Sequence, residues 1–351
     1  MQNPEPMSSA DTLIRYRNRN RRRALLVAAL AVAALLAALV DLVTGPAGLP
    51  LGETLRALTG GEVSRGTSVI IWDVRLPVAL MALLVGAALA LAGAEMQTVL
   101  KNPLAEPFTL GVSAAAALGA ATAIILGLRL PGLPPEWSIS VNAFAFALGA
   151  LGLLQLMSRI RGGGSEVLIL FGIALNFTAG AFVSLLQFIA SADALQQLVF
   201  WTMGSLASVR WGGLALMALV LAVTAPFAFL AAWRLTALRL GEEQARSFGV
   251  DVERLRRWAL VRVSLLAAAA VSMVGVIGFV GLAGPHIARM IVGEEHRFFL
   301  PASLLTGAVL MSVASVASKL LVPGVLLPVG LVTSLIGLPV FFWLILRGRR
   351  R

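Results

Sequence analysis

The chain has 351 residues, 59% of them hydrophobic and 13% charged, against about 45–50% and about 25% in an ordinary soluble domain. That much apolar surface exceeds what one water-soluble core can hide, and it points to repeated membrane spans of about 20 residues each. The absence of cysteine excludes disulfides, zinc–thiolate sites, iron–sulfur clusters and cysteine nucleophiles, and the net charge of +11 reads as loop Lys and Arg that orient spans rather than as a nucleic-acid surface.

Residues 1–23 are polar and end in RYRNRNRRR, Arg15–Arg23. The apolar run Ala24–Val43 follows. It is longer than the about 7–15 apolar residues of a signal peptide and lacks a small-x-small cleavage site, so it is expected to be the first span, with 1–23 as a cytoplasmic tail. The loop Thr44–Arg75 contains LGETLRALTGG, which predicts a short helix against the outer surface. Further spans are expected at Leu76–Leu100, Phe108–Leu128, Ser138–Met157, Val167–Ala190 and Trp211–Trp233, and, after a charged stretch, at Leu300–Val322 and Val329–Leu346.

Between these lies Ala259–Val292, whose 34 residues are too many for one ordinary span and whose middle reads GVIGFVGLAGP. A hairpin of two helices places Arg256, Arg257 and Arg262 on the same side as Arg289 and Arg297. The fold class that results is all-α and polytopic: about ten transmembrane helices, both termini cytoplasmic, with short cytoplasmic coupling helices. The permease domain is 24–347, and 348–351 form a cytoplasmic tail. This topology puts 22 of the 28 Lys and Arg residues on the cytoplasmic side and six outside, as the positive-inside rule requires.

The spans are rich in small residues. Gly86, Ala90, Gly93 and Ala94 fall near one face, where small side chains let helix backbones approach closely. Ionisable residues within spans are scarce. Glu95 and Asp41 stand out; each either marks a path or pairs with a nearby Arg or Lys. Asn176 and Gln187, both in Val167–Ala190, either line a path or bond between helices. No phosphate-binding loop of the form G-x-x-x-x-G-K-[ST] occurs, and the only histidines are His286 and His296. An enzyme is not indicated.

The charged interruption LRLGEEQARSFGVDVERLRR, Leu238–Arg257, has its own pattern. Glu242 and Arg246 are four apart in the favourable order. Ala245, Phe248, Val252 and Leu255 form an apolar stripe. Gly249 suits a helix end and Asp251 a helix start. Two short amphipathic helices are expected, serving either as a lid on the membrane surface or as a docking element. Pro103 and Pro107 in KNPLAEP (Lys101–Pro107) predict a tight turn after the second span.

LGEEQARSFGV closely resembles the coupling loop of the FecCD-type permeases, the membrane subunits of ABC importers for iron–siderophore complexes, haem and cobalamin. The blocks Arg75–Ala120, LVFWTMGSL (Leu198–Leu206), Gly275–Ser303 and LPVGLVTSLIGLPVFFWLI (Leu327–Ile345) resemble the same family in the same order. The resemblance implies a coupling loop at about 236–257, with Gly241, Glu242, Glu243, Ala245, Arg246, Gly249 and Val252 facing the ATPase. It implies docking of an external binding protein through Arg75 and Lys319, and KNPLAEP as a turn near the cytoplasmic gate or the ATPase face. It implies a second permease subunit and two ATP-binding subunits, with ATP used by those partners and no cofactor or metal held by this chain. The cargo implied is an iron chelate, foremost a ferric siderophore, with cobalamin or haem as alternatives, and the location is the bacterial cytoplasmic (inner) membrane. The sequence departs from the family's pattern at Val78, where a second Arg is frequent, and at Glu95. The alternatives outside the family are an ion-coupled secondary transporter using Glu95 and a membrane scaffold without a path.

Overall fold

The computed structural model describes residues 9–46, 48–129, 131–132, 134, 137–160 and 165–348. Parts of the expected terminal tails, 1–8 and 349–351, and Arg161 lie outside the described residues. Helix α1 (Ser9–Val43) runs unbroken from the basic segment into the first span. After it come α2 (Leu51–Leu58), α3 (Arg65–Val69), a π-helical turn (Ile70–Arg75) and α4 (Leu76–Val99). A 3₁₀ turn at Pro107–Leu110 leads to α5 (Val112–Ile125), α6 (Ser138–Ile160) and α7 (Ser165–Ile189). Then follow α8 (Ala192–Thr202), α9 (Trp211–Leu230), α10 (Ala232–Arg239) and α11 (Glu242–Ser247). The chain closes with α12 (Val252–Val274), α13 (Val280–Val292), α14 (His296–Leu320) and α15 (Val329–Gly348).

Seven helices are long and apolar enough to cross a membrane, and three shorter apolar ones, Val112–Ile125, Val280–Val292 and Val329–Pro339, bring the number to ten among the described residues. The fold is therefore the all-helical, polytopic one read from the sequence. Helix α8 was not anticipated; its start is marked by Ser191, whose hydroxyl accepts from the Ala194 amide at 3.3 Å.

Helix α4 is apolar on every side, the signature of a helix enclosed by others. It is, with α1, α9, α12, α13 and α14 packed around it. Its span is 78% buried, against 17% for α1 and α7, whose exposed faces suit lipid or another subunit. The small face predicted on α4 is what permits this crowding. A Cβ on Gly86 would sit 2.6 Å from the Met311 Cβ of α14 and closer still to the Gly307 carbonyl; one on Gly93 would collide with the Gly281 carbonyl of α13. The second group, α5, α6 and α7, rests on α12 through α5 and α6.

Ala259–Val292 divides as expected into α12 and α13. The break at 275–279 begins with Gly275 at φ 75° and ends with Phe279 at φ 67°. Irregular backbone at span depth is tolerated only where protein supplies the hydrogen bonds. Here the Ser205 amide donates to Val274 O at 2.7 Å, and Gly330 N to Gly204 O at 3.1 Å, so the α8–α9 connection and the start of α15 meet at the break.

Candidate functional site

The charged interruption forms one free helix, not two. Helix α11 is bounded by Gly241 (φ 128°) and Gly249 (φ 80°), conformations that favour glycine. The second expected helix is the first part of the span α12, capped by Asp251, whose carboxylate accepts from the Arg254 amide at 2.9 Å. The short segment stops where Gly249 turns the chain left-handed; the next segment has no such stop before Gly275.

Apolar contacts and an ion-pair hub fasten α11. Ala245, Val250, Val252 and Leu255 are buried. Phe248, assigned by periodicity to the same stripe, is instead 59% exposed, because the chain leaves helical register at the Gly249 turn. Glu242 was expected to pair with Arg246, and that contact is long, 3.9 Å. Its closer partners are Arg256 of α12 at 2.9 Å and Lys101, just beyond α4, at 3.0 Å. Arg256 also donates through Nε to Val99 O at 3.2 Å. The Glu242 carboxyl is held below the usual carboxylate range, chiefly by the Lys101 hydrogen bond; partial burial opposes this and the Arg256 charge adds to it. Thus one carboxylate ties α11 to the ends of both α4 and α12. Glu243, Arg246, Ser247 and Phe248 face outward. The arrangement is a projecting helix rigidly connected to the central span, suited to carry a displacement inward.

The family-model comparison matches residues 21–347 to the FecCD transport family. The chain belongs to that family. It is 40% identical over 282 residues to the hemin transport system permease protein of Yersinia pestis, covering 80% of this chain and 84% of the relative. It is 36% identical over 345 residues to the vitamin B12 import system permease protein of Klebsiella pneumoniae, covering 98% and 100%. Among solved structures, a transporter described as of metal-chelate ABC type, in an inward-facing conformation, superposes with a TM-score of 0.82 at 31% identity, covering 92% of this chain and 99% of that one. This FecCD chain is thus an ABC importer permease, an integral membrane subunit of a family whose ATPase resides on a separate chain. That finding removes the self-sufficient ion-coupled transporter and the pathless scaffold.

The other candidate residues of the FecCD chain fall into two places. Arg75 and Lys319 lie together at the end of α4 opposite α11 and line one cavity of about 250 Å³. They are not presented outward, as the sequence reading expected. Arg75 is 4% exposed and donates to Val43 O at 2.7 Å, closing the carboxyl end of α1. Lys319 pairs with Asp41 at 2.7 Å, and Ser315 donates to the same carboxylate at 2.8 Å. The uncompensated end carbonyls of α1 attract cations, which is why both side chains turn inward. Asp41 thus has the basic partner that the sequence left open.

Glu95 does not share a surface with Asn176 and Gln187. It is fully buried between α4 and α12 and paired with Arg262. Arg262 had been assigned to the cytoplasmic loop cations; it lies about 15 Å along α12 from its start, inside the bundle. Asn176 and Gln187 are 11 residues apart, about three helical turns, and form one half-buried stripe on α7 with Gly180 and Val183. Sequence reading missed Arg262, Lys101 and Arg256 as partners: Arg262 is 167 residues from Glu95, and Arg256, 14 residues from Glu242, sits across a turn between helices, so neither contact follows a local helical spacing.

Proposed function

We propose that this chain pairs with a second permease subunit and passes a metal chelate, foremost a ferric siderophore, through the path between them. Two cytoplasmic ATP-binding subunits engage α11, and ATP binding there moves α4 and α12 through Glu242, Lys101 and Arg256. An external binding protein delivers the cargo to the end bearing Arg75 and Lys319. Both termini are cytoplasmic in the inner membrane, in keeping with the distribution of basic residues. The half-buried Asn176–Gln187 stripe supplies polar atoms beside the largely exposed apolar face of α7, which suits a subunit boundary. The observation that carries the reading is the exposed, ion-anchored helix α11.

The cargo is named by family chemistry, and the hemin and vitamin B12 relatives define its competitors. Native mass spectrometry of the complex from its own host's membranes tests the assembly, with two permease and two ATP-binding chains expected. A chain that emerges alone, even when crosslinked before extraction, overturns it. ATP-driven uptake into vesicles, compared for ferric siderophore, haem and cobalamin, then decides the cargo; preference for either of the latter overturns the siderophore assignment.

A further inference from the structure

A groove of about 830 Å³ runs along α9, α10 and α12 to the Gly249–Asp251 hinge that joins α11 to α12. Its chemistry changes along its length. Phe227 and Leu230 make one wall apolar, and both are exposed, at 59% and 72%. Where the spans end, Trp233 and Trp258 line it, also more than half exposed. Beside them stand Arg234 and Arg254, both exposed, with no acidic partner for either among the described residues. The Arg234 guanidinium lies over the Trp233 ring, 6.0 Å from its centroid. Asp251, the acid on the wall, is occupied capping α12.

Apolar wall, tryptophan pair and free guanidinium groups follow one another in the order of acyl chain, interface and headgroup. Tryptophan collects at the interface, and basic pockets between spans take acidic headgroups. A soluble anion would leave the apolar wall uncovered, and a zwitterionic lipid would not satisfy two unpaired cations. We infer that this groove is a binding site for one anionic phospholipid, its headgroup at Arg234 and Arg254 and an acyl chain along Phe227 and Leu230. The lipid then packs against the Gly249–Asp251 hinge. The site stands on the groove alone; an effect of its occupant on ATP coupling rests on the function proposed above.

The test is native mass spectrometry of the full chain, released in detergent and titrated with phosphatidylglycerol or phosphatidylcholine. Wild type should retain phosphatidylglycerol in preference. Arg234→Gln/Arg254→Gln should weaken that retention about thirty-fold, the loss expected of two basic side chains at a membrane surface, and Arg234→Lys/Arg254→Lys should restore it. Equal retention of the two lipids, or unchanged retention in the Gln variant, overturns the site. Loss of co-purifying ATP-binding subunits with lipid retention unchanged would assign the groove to a protein instead. Should the Gln variant not fold, brominated phosphatidylglycerol should quench Trp258 in the wild type, read as the quenching lost in Trp258→Phe; no such loss counts against the proposal. No readout here uses ATP, so failure of the assembly reading would leave these results standing.

Discussion

Glu95 of α4 and Arg262 of α12 form a forked ion pair inside the bundle: Arg262 Nε lies 3.0 Å from each carboxylate oxygen, and the terminal nitrogen NH2 bonds Oε1 as well. Glu95 is fully buried and Arg262 nearly so, so each stabilises the other chiefly by cancelling a buried charge.

The pair can therefore be broken from one side only at high cost. Glu95→Gln should destabilise the chain by about 3–5 kcal/mol, because Arg262 is left uncompensated. Replacing both, Glu95→Gln with Arg262→Gln, should recover most of that loss in thermal unfolding and should retain ATP-driven uptake. A stable double variant without uptake would give the pair a part in transport itself.

Glu242 is a different case, because the carboxylate itself and Lys101 are partly exposed, although Arg256 is buried. Glu242→Gln should cost less than about 2 kcal/mol in all, since each such pair contributes about 0.2–1 kcal/mol. Its larger effect should be on coupling: ATP hydrolysis continues while uptake falls. The pH sign follows from the lowered carboxyl value. The anchor is fully present above the unfolded glutamate value, about 4.3, and is lost as pH falls through the lower folded value. The protection of the α11 amides against hydrogen exchange, taken relative to the pH-dependent exchange of an unstructured chain, should thus be unchanged between pH 7 and 5. Loss of protection already at pH 6 would contradict the anchoring.

The packing of α4 gives a third expectation. Gly93→Ala puts a methyl group, fixed directly to the α4 backbone, onto the backbone carbonyl of Gly281, so nothing short of moving α13 relieves it. Overpacking costs typically about 1–3 kcal/mol, and this position should reach or exceed the upper end. Gly152→Ala on α6, with open space around it, should be neutral to stabilising in the same melting experiment, since alanine is the better helix former.

These cases also divide what could be read from the residues. Spans, the 259–292 division and the small face of α4 are one-dimensional patterns of hydropathy and size, and they reappear in the fold with shifted ends, α12 starting at Val252 and α5 shortened to Val112–Ile125. The turn at Gly249 was legible as a helix end, but its consequence, Phe248 rotated out of the apolar stripe, was not. Periodicity also could not show that the second short helix continues into α12. Partner choice was the least legible. Arg262 looked like a loop cation because it follows the charged run, and Arg75 looked like an outward-facing one because the family resemblance gives that position a docking role. Both are turned inward by groups distant in sequence: Glu95 for the first, the end carbonyls of α1 for the second.

The chain's two lysines sit in opposite settings. Lys101 keeps 46% of its side chain exposed beside α11, whereas Lys319 keeps 6% and is held by the buried carboxylate of Asp41. An amine-reactive reagent applied to both faces of the folded chain should modify Lys101 while leaving Lys319 intact, as peptide mass spectrometry would record. Asp41→Asn removes the anion that Lys319 requires and should expose that amine to reaction. Protection of Lys319 by Asp41 would mean that any binding protein must first draw the cation out, exchanging its own carboxylate for Asp41. If Lys319 instead reacts as readily as Lys101 in the unaltered chain, the cation already faces outward, and the simpler docking geometry expected from the sequence is restored.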